Sequence, residues 1–313
     1  MNEDRAQTNG ETKPDMSVVL VCWNNKAYLE PCLRSLFDGG LRSSFDVVVV
    51  DNGSTDGSQE MLRAVFPQVK LIENGRNVGL GRASNQGIEA TAGRYVLLLN
   101  NDTIVNGASL DALVEFMDRT PDAAVAGGRL LNGDGSFQAG HCRFSSLAEE
   151  LLIATGIGNL QFRSNPFQLD SDRIREVDWV GSACCIVRRS ALDQVGLLDE
   201  EYFIYGDEED LQYRMKRAGW KVYYLPEVTT IHFGGRSMDR WRRRKMVYRG
   251  KMLFFRKNYG SLPTSILRFV FGALSAGKIV VWGIASASPR WRERARLEVR
   301  SNVEVMWLCF RLA

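Results

Sequence analysis

Five short apolar runs punctuate the first 130 residues: SVVLVC from Ser17, FDVVVVD from Phe45, VKLIE from Val69, RYVLLLN from Arg94 and AAVAGG from Ala123. Each is rich in β-branched residues, leucine or small apolar residues. Turn chemistry or an amphipathic segment separates each from the next. Continuous apolar runs of this length predict buried parallel strands with helices covering both faces. Helices are predicted over residues 27–37, 57–65, 81–90 and 108–119, the last showing Leu110, Leu113, Val114 and Met117 at helical spacing. The pattern is that of a nucleotide-binding open α/β sheet.

The rest of the chain is less regular. Residues 128–178 carry few signals, and VDWVGSACCIV from Val177 reads as a strand or extended run entering a helix near Arg189. Tyr202 to Trp220 reads as a loop into a helix, and Lys221 to Leu225 as a returning strand. Past Gly234 the pattern is helical and basic. The expected organisation is a disordered tail over 1–16, a nucleotide-binding half over 17–127, a second half of the same domain over 128–240, and a helical C-terminal region over 241–313.

Composition changes little in this picture: of 313 residues 45% are hydrophobic and 25% charged, and the net charge of +3 singles out no partner. The six cysteines form no CxxC pair and no metal-ligand spacing with His141 or His232, which suits a reducing cytosol. Residues 1–16 lack the apolar core of a secretion signal. The most apolar stretch, Ile266 to Ser288, is interrupted by Arg268 and Lys278, so an interfacial or core helix is expected rather than a membrane span.

An open sheet of this type binds ligands beyond the carboxyl ends of its strands. The residues there are polar: Trp23, Asn24 and Asn25; Asp51 to Gly57; Asn74 to Gly79; and Asn100 to Thr103. No GxGxxG opens the first helix and no GxxxxGK is present, which disfavours dinucleotide and P-loop sites. Later come four consecutive carboxylates, Asp207, Glu208, Glu209 and Asp210. Such a run is kept where something offsets its self-repulsion: a helix N-terminus, or a site that uses the charge.

In order along the chain, VCWNN, DNGSTDGS, RNVGLGRASNQGI, YVLLLNNDTIV, VDWVGSACCIVRRSAL, VGLLDEEYFIYGDEEDLQYRMKRAGW and HFGGRS make a set that resembles the family 2 inverting glycosyltransferases of the GT-A fold, especially their rhamnosyltransferase-like branch. The resemblance runs from about Ser17 to Arg236. It implies a Rossmann-like, mostly parallel open sheet with helices on both faces, and a metal-dependent transfer of sugar from a nucleoside diphosphate of UDP or dTDP type.

Carried over residue by residue, it implies a donor nucleotide site from Trp23, Asn24, Asp51, Asn52, Asn77, Gly79, Asn85 and Asn101, with Asp51 on the pyrimidine ring. It implies Mg²⁺ or Mn²⁺ on Asp102 and His232; Asn100 stands where the family usually has the first aspartate of a spaced pair, leaving Asp102 the sole full carboxylate there. Trp179, Gly181 and Ser182 would line the acceptor pocket. Glu208 would be the base that takes the acceptor proton, with Asp207 as runner-up; crowding by Asp207 and Glu209 should raise the pKa of Glu208. Asp210 would support the helix and pair with Arg214, and Gly234 to Ser237 would form a loop reaching the phosphates.

The acceptor implied is a glycan, free or carried on a polyprenyl diphosphate, in polysaccharide biosynthesis. Arginines interleaved with Trp241, Tyr248, Phe254, Phe255 and Tyr259 fit an anionic membrane surface better than a nucleic acid, because an apolar segment follows them, although a helical lid or a dimer surface would look similar. A cytoplasmic location, at the inner face of the cell membrane, is expected; the oligomeric state is not legible. The alternatives are a nucleotidyltransferase, which would need a glycine-rich basic loop that VCWNNKAY does not supply, and a non-catalytic nucleotide-sugar-binding protein.

Overall fold

The computed structural model describes residues 13–155, 172–234 and 240–311. Strands and helices alternate through β1 (Met16–Cys22), α1 (Lys26–Phe37), β2 (Phe45–Asp51), α2 (Ser58–Val65), β3 (Lys70–Glu73), α3 (Leu80–Glu89), β4 (Tyr95–Leu99), a short β5 (Thr103–Ile104), α4 (Gly107–Arg119) and β6 (Ala123–Leu131). The five apolar runs are thus five strands, and the four expected helices lie within a residue of their predicted bounds. The chain is anchored before β1: Asp15 accepts from Ser44 and pairs with Arg94, so residues 13–16 are not part of a tail.

The irregular middle resolves into β7 (Phe137–Gln138), β8 (His141–Cys142), α5 (Leu147–Thr155), β9 (Arg175–Val177), β10 (Trp179–Val180) and β11 (Cys184–Arg188). Then follow α6 (Arg189–Val195), α7 (Asp207–Arg217) and β12 (Lys221–His232). The single run read over 177–187 is therefore three strands, because Asp178 and then Gly181 to Ala183 break it where it crosses between sheets.

The main sheet has the order β3-β2-β1-β4-β11-β6-β12-β5. β1, β2, β3 and β4 are mutually parallel, as are β6 and β12, while β11 runs antiparallel between β4 and β6. β12 continues seven residues past the predicted end at Leu225, because a register shift between Leu225 and Thr229 takes up Pro226, which has no N–H for the ladder. That extension carries His232 beside Thr103, next to Asp102. One face of the sheet packs on Leu29, Leu33, Leu110, Leu113 and Met117 from α1 and α4. The other packs on Ile88, Leu192, Leu211 and Met215 from α3, α6 and α7.

Three helices complete the chain: α8 (Arg240–Asn258), α9 (Ser261–Ala285) and α10 (Arg292–Arg311). They share a separate core of Met252, Phe254, Phe255, Leu267, Phe271 and Val305 with Tyr202 from the loop before α7. The apolar segment lies in α9, one 25-residue helix that runs through Arg268 and Lys278 and is long and apolar enough, by length and composition only, to cross a membrane. Arg268 does not break it, because its guanidinium donates to the Cys309 carbonyl of α10.

Candidate active site

The carboxyl ends of β1, β2 and β4 and the N-terminus of α7 converge. At the end of β2, Asp51 is wholly buried; one carboxylate oxygen accepts from the Gly53 and Ser54 amides and from Gln59 Nε2, while Oδ1 has no hydrogen-bond partner among the described residues. The turn is held to the end of β1 by Asn24, which sits at φ 51° and accepts from the Thr55 amide at 2.7 Å. Ser54 and Thr55 do not cap α2; Gly57 at φ 83° is its N-cap. Trp23 stands exposed at the mouth.

Gly79, at φ 97°, is required twice, since a Cβ there would lie 2.9 Å from the Phe203 carbonyl oxygen, which already accepts from the Leu80 amide. Asn77 closes the turn by accepting from the Gly79 amide. Three other asparagines are buried beneath the rim, their amides bonded within the protein. Asn52 donates to the Gly79 carbonyl and accepts from Asn74. Asn101 accepts from Asn25 and donates to the Val21 carbonyl. Asn85 exchanges both hydrogen bonds with the backbone of Leu198, clamping α3 to the loop before α7. Expected as donor ligands, these three tie the walls of the cleft together, as buried amides bonded at both ends.

Past β4, Asp102 and His232 face each other at 3.3 Å, and the Asn100 amide nitrogen, Nδ2, donates toward the same imidazole nitrogen, Nε2, at 3.3 Å. The other nitrogen, Nδ1, is 2.6 Å from Gln138 Oε1, and the Gln138 amide nitrogen is spent on Asn132 and on the His232 carbonyl. That orientation makes Nδ1 the donor. Nε2 is then the acceptor nitrogen, lying between the Asn100 amide and the Asp102 carboxylate, and its lone pair is the one a cation would use. A hard divalent ion takes one or two protein side chains and fills its shell with phosphate oxygens and water, so the Asp102 carboxylate and His232 Nε2 fit one. Gln138 gave no signal in the sequence: it sits on a two-residue strand in the irregular region and acts only through histidine.

The four carboxylates open α7 behind Gly206, an N-cap at φ 97°. Successive residues on a helix are turned by about 100°, and the four separate accordingly. Asp210 accepts from Arg214 at 2.9 Å, the expected i+4 pair, and from Asn258 of α8. Glu209 turns inward to accept the Ser145 amide, and burial pushes its pKa up to about 7. Asp207 and Glu208 line a cavity of about 30 Å³ with Asn100, Ser182, Leu80 and Leu198.

Burial first, and then the neighbouring Glu208 charge, push Asp207 up to about 8; its Oδ1 is buried with no partner. Glu208 is raised too, by burial rather than by the crowding that its sequence neighbours suggested, and it is opposed by the Ser182 hydroxyl, which donates at 2.9 Å, and by His232. Of the expected acceptor residues, Ser182 therefore touches the base candidate, and a Cβ on Gly181 would lie 3.9 Å from it. Trp179 spends its indole N–H on the Arg143 carbonyl. Gly234 packs by His232, whereas residues 235–237 lie outside the described residues.

With this geometry in place, comparison with known proteins is informative. The model of "Glycosyl transferase family 2" matches residues 17–196. The chain is 32% identical over 242 residues to N-acetylglucosaminyl-diphospho-decaprenol L-rhamnosyltransferase of Mycobacterium tuberculosis, covering 72% of this chain and 78% of that one. Among solved structures it resembles a mannosyltransferase of Pyrobaculum calidifontis in complex with GDP-Man and Mn²⁺, with TM-score 0.58 and 14% identity, covering 96% of this chain and 88% of that one. It also resembles GalNAc-T7 with UDP, GalNAc and Mn²⁺, with TM-score 0.56 and 16% identity, covering 82% of this chain and 53% of that one. At such identities the structural likeness speaks for the GT-A fold.

Proposed function

The chain belongs to glycosyl transferase family 2, in its rhamnosyltransferase-like branch, and on that premise we propose that it transfers a sugar, rhamnose in our reading, from a UDP- or dTDP-type donor with inversion at the anomeric carbon. The acceptor is a glycan on a polyprenyl diphosphate, in polysaccharide biosynthesis; the rhamnosyltransferase relative, named for a decaprenol-linked acceptor, supports this. Such an acceptor puts the enzyme in the cytoplasm, against the inner face of the membrane.

The observation that carries the reading is the opening of α7, where Glu208 and Asp207 meet Ser182 and Asn100 in one cavity. Glu208 is the base. Its Oε atoms face the Ser182 hydroxyl and the Gly181 backbone, where an acceptor hydroxyl would sit. The acceptor oxygen attacks the anomeric carbon, its proton passes to Glu208, and the bond to the diphosphate oxygen breaks with its electron pair leaving on the nucleotide. Asp207, held toward its protonated form, can donate a hydrogen bond into the same space. Asp51 Oδ1, buried and unpartnered, is the acceptor available for a ring N–H of a pyrimidine. Asp102 and His232 would hold Mg²⁺ or Mn²⁺, which when bound supplies charge to offset that on the leaving diphosphate.

Glu208→Gln tests this. Turnover should fall by about 10²- to 10⁴-fold, the usual weight of a general base, while thermal stabilisation by nucleoside diphosphates with Mn²⁺ is kept. Unchanged turnover would overturn the base assignment. A chain stabilised by nucleotide sugars that turns none over would point to the binding-protein alternative.

A further inference from the structure

The last two helices present an inverted surface. A helix on the outside of a soluble domain turns its polar face to water, yet the outward stripe of α9 is Leu262, Ile266, Phe269, Val280, Val281 and Ile284, with Phe269 76% and Ile284 73% exposed. Only 17% of its most apolar window is buried. The packed partner helix α10 adds two exposed aromatics, Trp307 and Phe310, 56% and 71% exposed. This is far more contiguous apolar surface than a monomer leaves to water without a use.

Charge identifies the occupant. Residues 240–311 hold 17 of the 40 lysines and arginines but only 3 of the 37 acids, so this segment carries +14 and the remainder of the chain −11. The arginines lie where the apolar stripe ends. At the turn between the helices the Arg294 guanidinium lies over Trp282 and Trp291, whose rings are 6.3 Å apart, and Arg311 lies over Trp307. Tryptophan with arginine at the edge of an apolar band is the composition of a membrane–water interface.

Whether the hairpin crosses or lies flat is decided by α10. Leu267 and Phe271 of α9 pack on Val305 and Cys309, and Arg268 bonds the Cys309 carbonyl, so α9 cannot enter the bilayer without α10. α10 carries Arg292, Glu293, Arg294, Arg296, Glu298, Arg300 and Glu304, and a charge at the bilayer centre costs about 2.5–3.5 kcal/mol on the insertion scale. Seven of them outweigh the apolar gain of one helix. We propose that the α9–α10 hairpin is an in-plane foot that docks on anionic phospholipid, with the Phe269–Ile284 stripe sunk into the acyl boundary and the arginines on headgroup phosphates. The foot rests on the membrane-face location proposed above, and it is read without turnover, so the two fail separately.

The test uses the full chain and vesicles of phosphatidylethanolamine with phosphatidylglycerol, against vesicles of phosphatidylcholine alone. The wild type should co-sediment with the first at least tenfold more strongly. Phe269→Ser with Ile284→Ser should lose at least tenfold of that binding with an unchanged Tm, since both side chains are exposed. A wild type left in the supernatant, or a double variant that binds as well as the wild type, would overturn the proposal. A wild type that is dimeric in solution, made monomeric by the variant and indifferent to vesicles, would assign the face to a second copy. Ser288→Cys, in the exposed turn, should remain reactive to an impermeant maleimide outside sealed vesicles; protection would mean that the hairpin crosses.

Discussion

Asp207 shows how a single buried carboxyl reports its surroundings. Its folded pKa, about 8, lies above the 3.8 of an unperturbed aspartate, so between those values the folded chain keeps a proton that the unfolded chain has lost. Stability contributed by this group is therefore full below pH 3.8 and declines as pH rises toward 8. Asp207→Asn should be increasingly more stable than the wild type from pH 5 to pH 8.5, read as a widening gap in Tm; a gap that narrows would contradict it. The same sign applies to catalysis, since Glu208 must be ionised to act as base and its pKa is raised by burial: kcat/KM should fall as pH is lowered through that raised value, earlier than for an exposed glutamate. At the cation site, Gln138 fixes which nitrogen of His232 is free. Gln138→Leu removes that restraint, and Mn²⁺ affinity measured by titration calorimetry should drop about 10- to 100-fold, as for other partners that orient a metal-binding histidine.

At the level of elements, α8 reaches into the site from behind. Gly250 packs so closely on the loop before α7 that a Cβ would lie 2.3 Å from the Tyr205 carbonyl oxygen, and Tyr205 itself is held at φ 66°. Asn258 at the end of the same helix donates to Asp210, and Lys257 pairs with Asp199. Gly250→Ala should push the Tyr205–Gly206 turn away, lowering Tm by several degrees, the scale of an overpacking penalty of about 1–3 kcal/mol. Because that turn carries Asp207 and Glu208, kcat should fall while donor affinity is kept; a loss of donor affinity without a change in kcat would show that the loop is not what moved. The elements most legible in the sequence were those with a strong period: the apolar runs of β1, β2 and β4 and the amphipathic α4. The short strands β7 to β10 were not, because two or three residues carry no period and their pairing partners lie far away in the chain.

Over the whole molecule, the acidic catalytic body and the basic helical foot make one strongly polar particle beneath a net charge of only +3. Binding to anionic vesicles should consequently weaken steeply between 50 mM and 500 mM salt without vanishing, because screening removes the arginine contribution and leaves the apolar stripe. By itself the sequence determined the alternating fold, the strand-end rim of polar residues, the carboxylates at the start of α7 and the basic C-terminal region, since each is written in local periodicity or in a contiguous motif. Only the tertiary structure decided that Asn52, Asn85 and Asn101 brace the cleft, that burial rather than crowding raises Glu208, that Gln138 orients His232, and that the apolar side of α9 points outward. These depend on which groups meet across long stretches of chain and on which face of an element is covered. A hydrogen-bond partner, a desolvated carboxyl and an uncovered helix face exist only once the chain has packed.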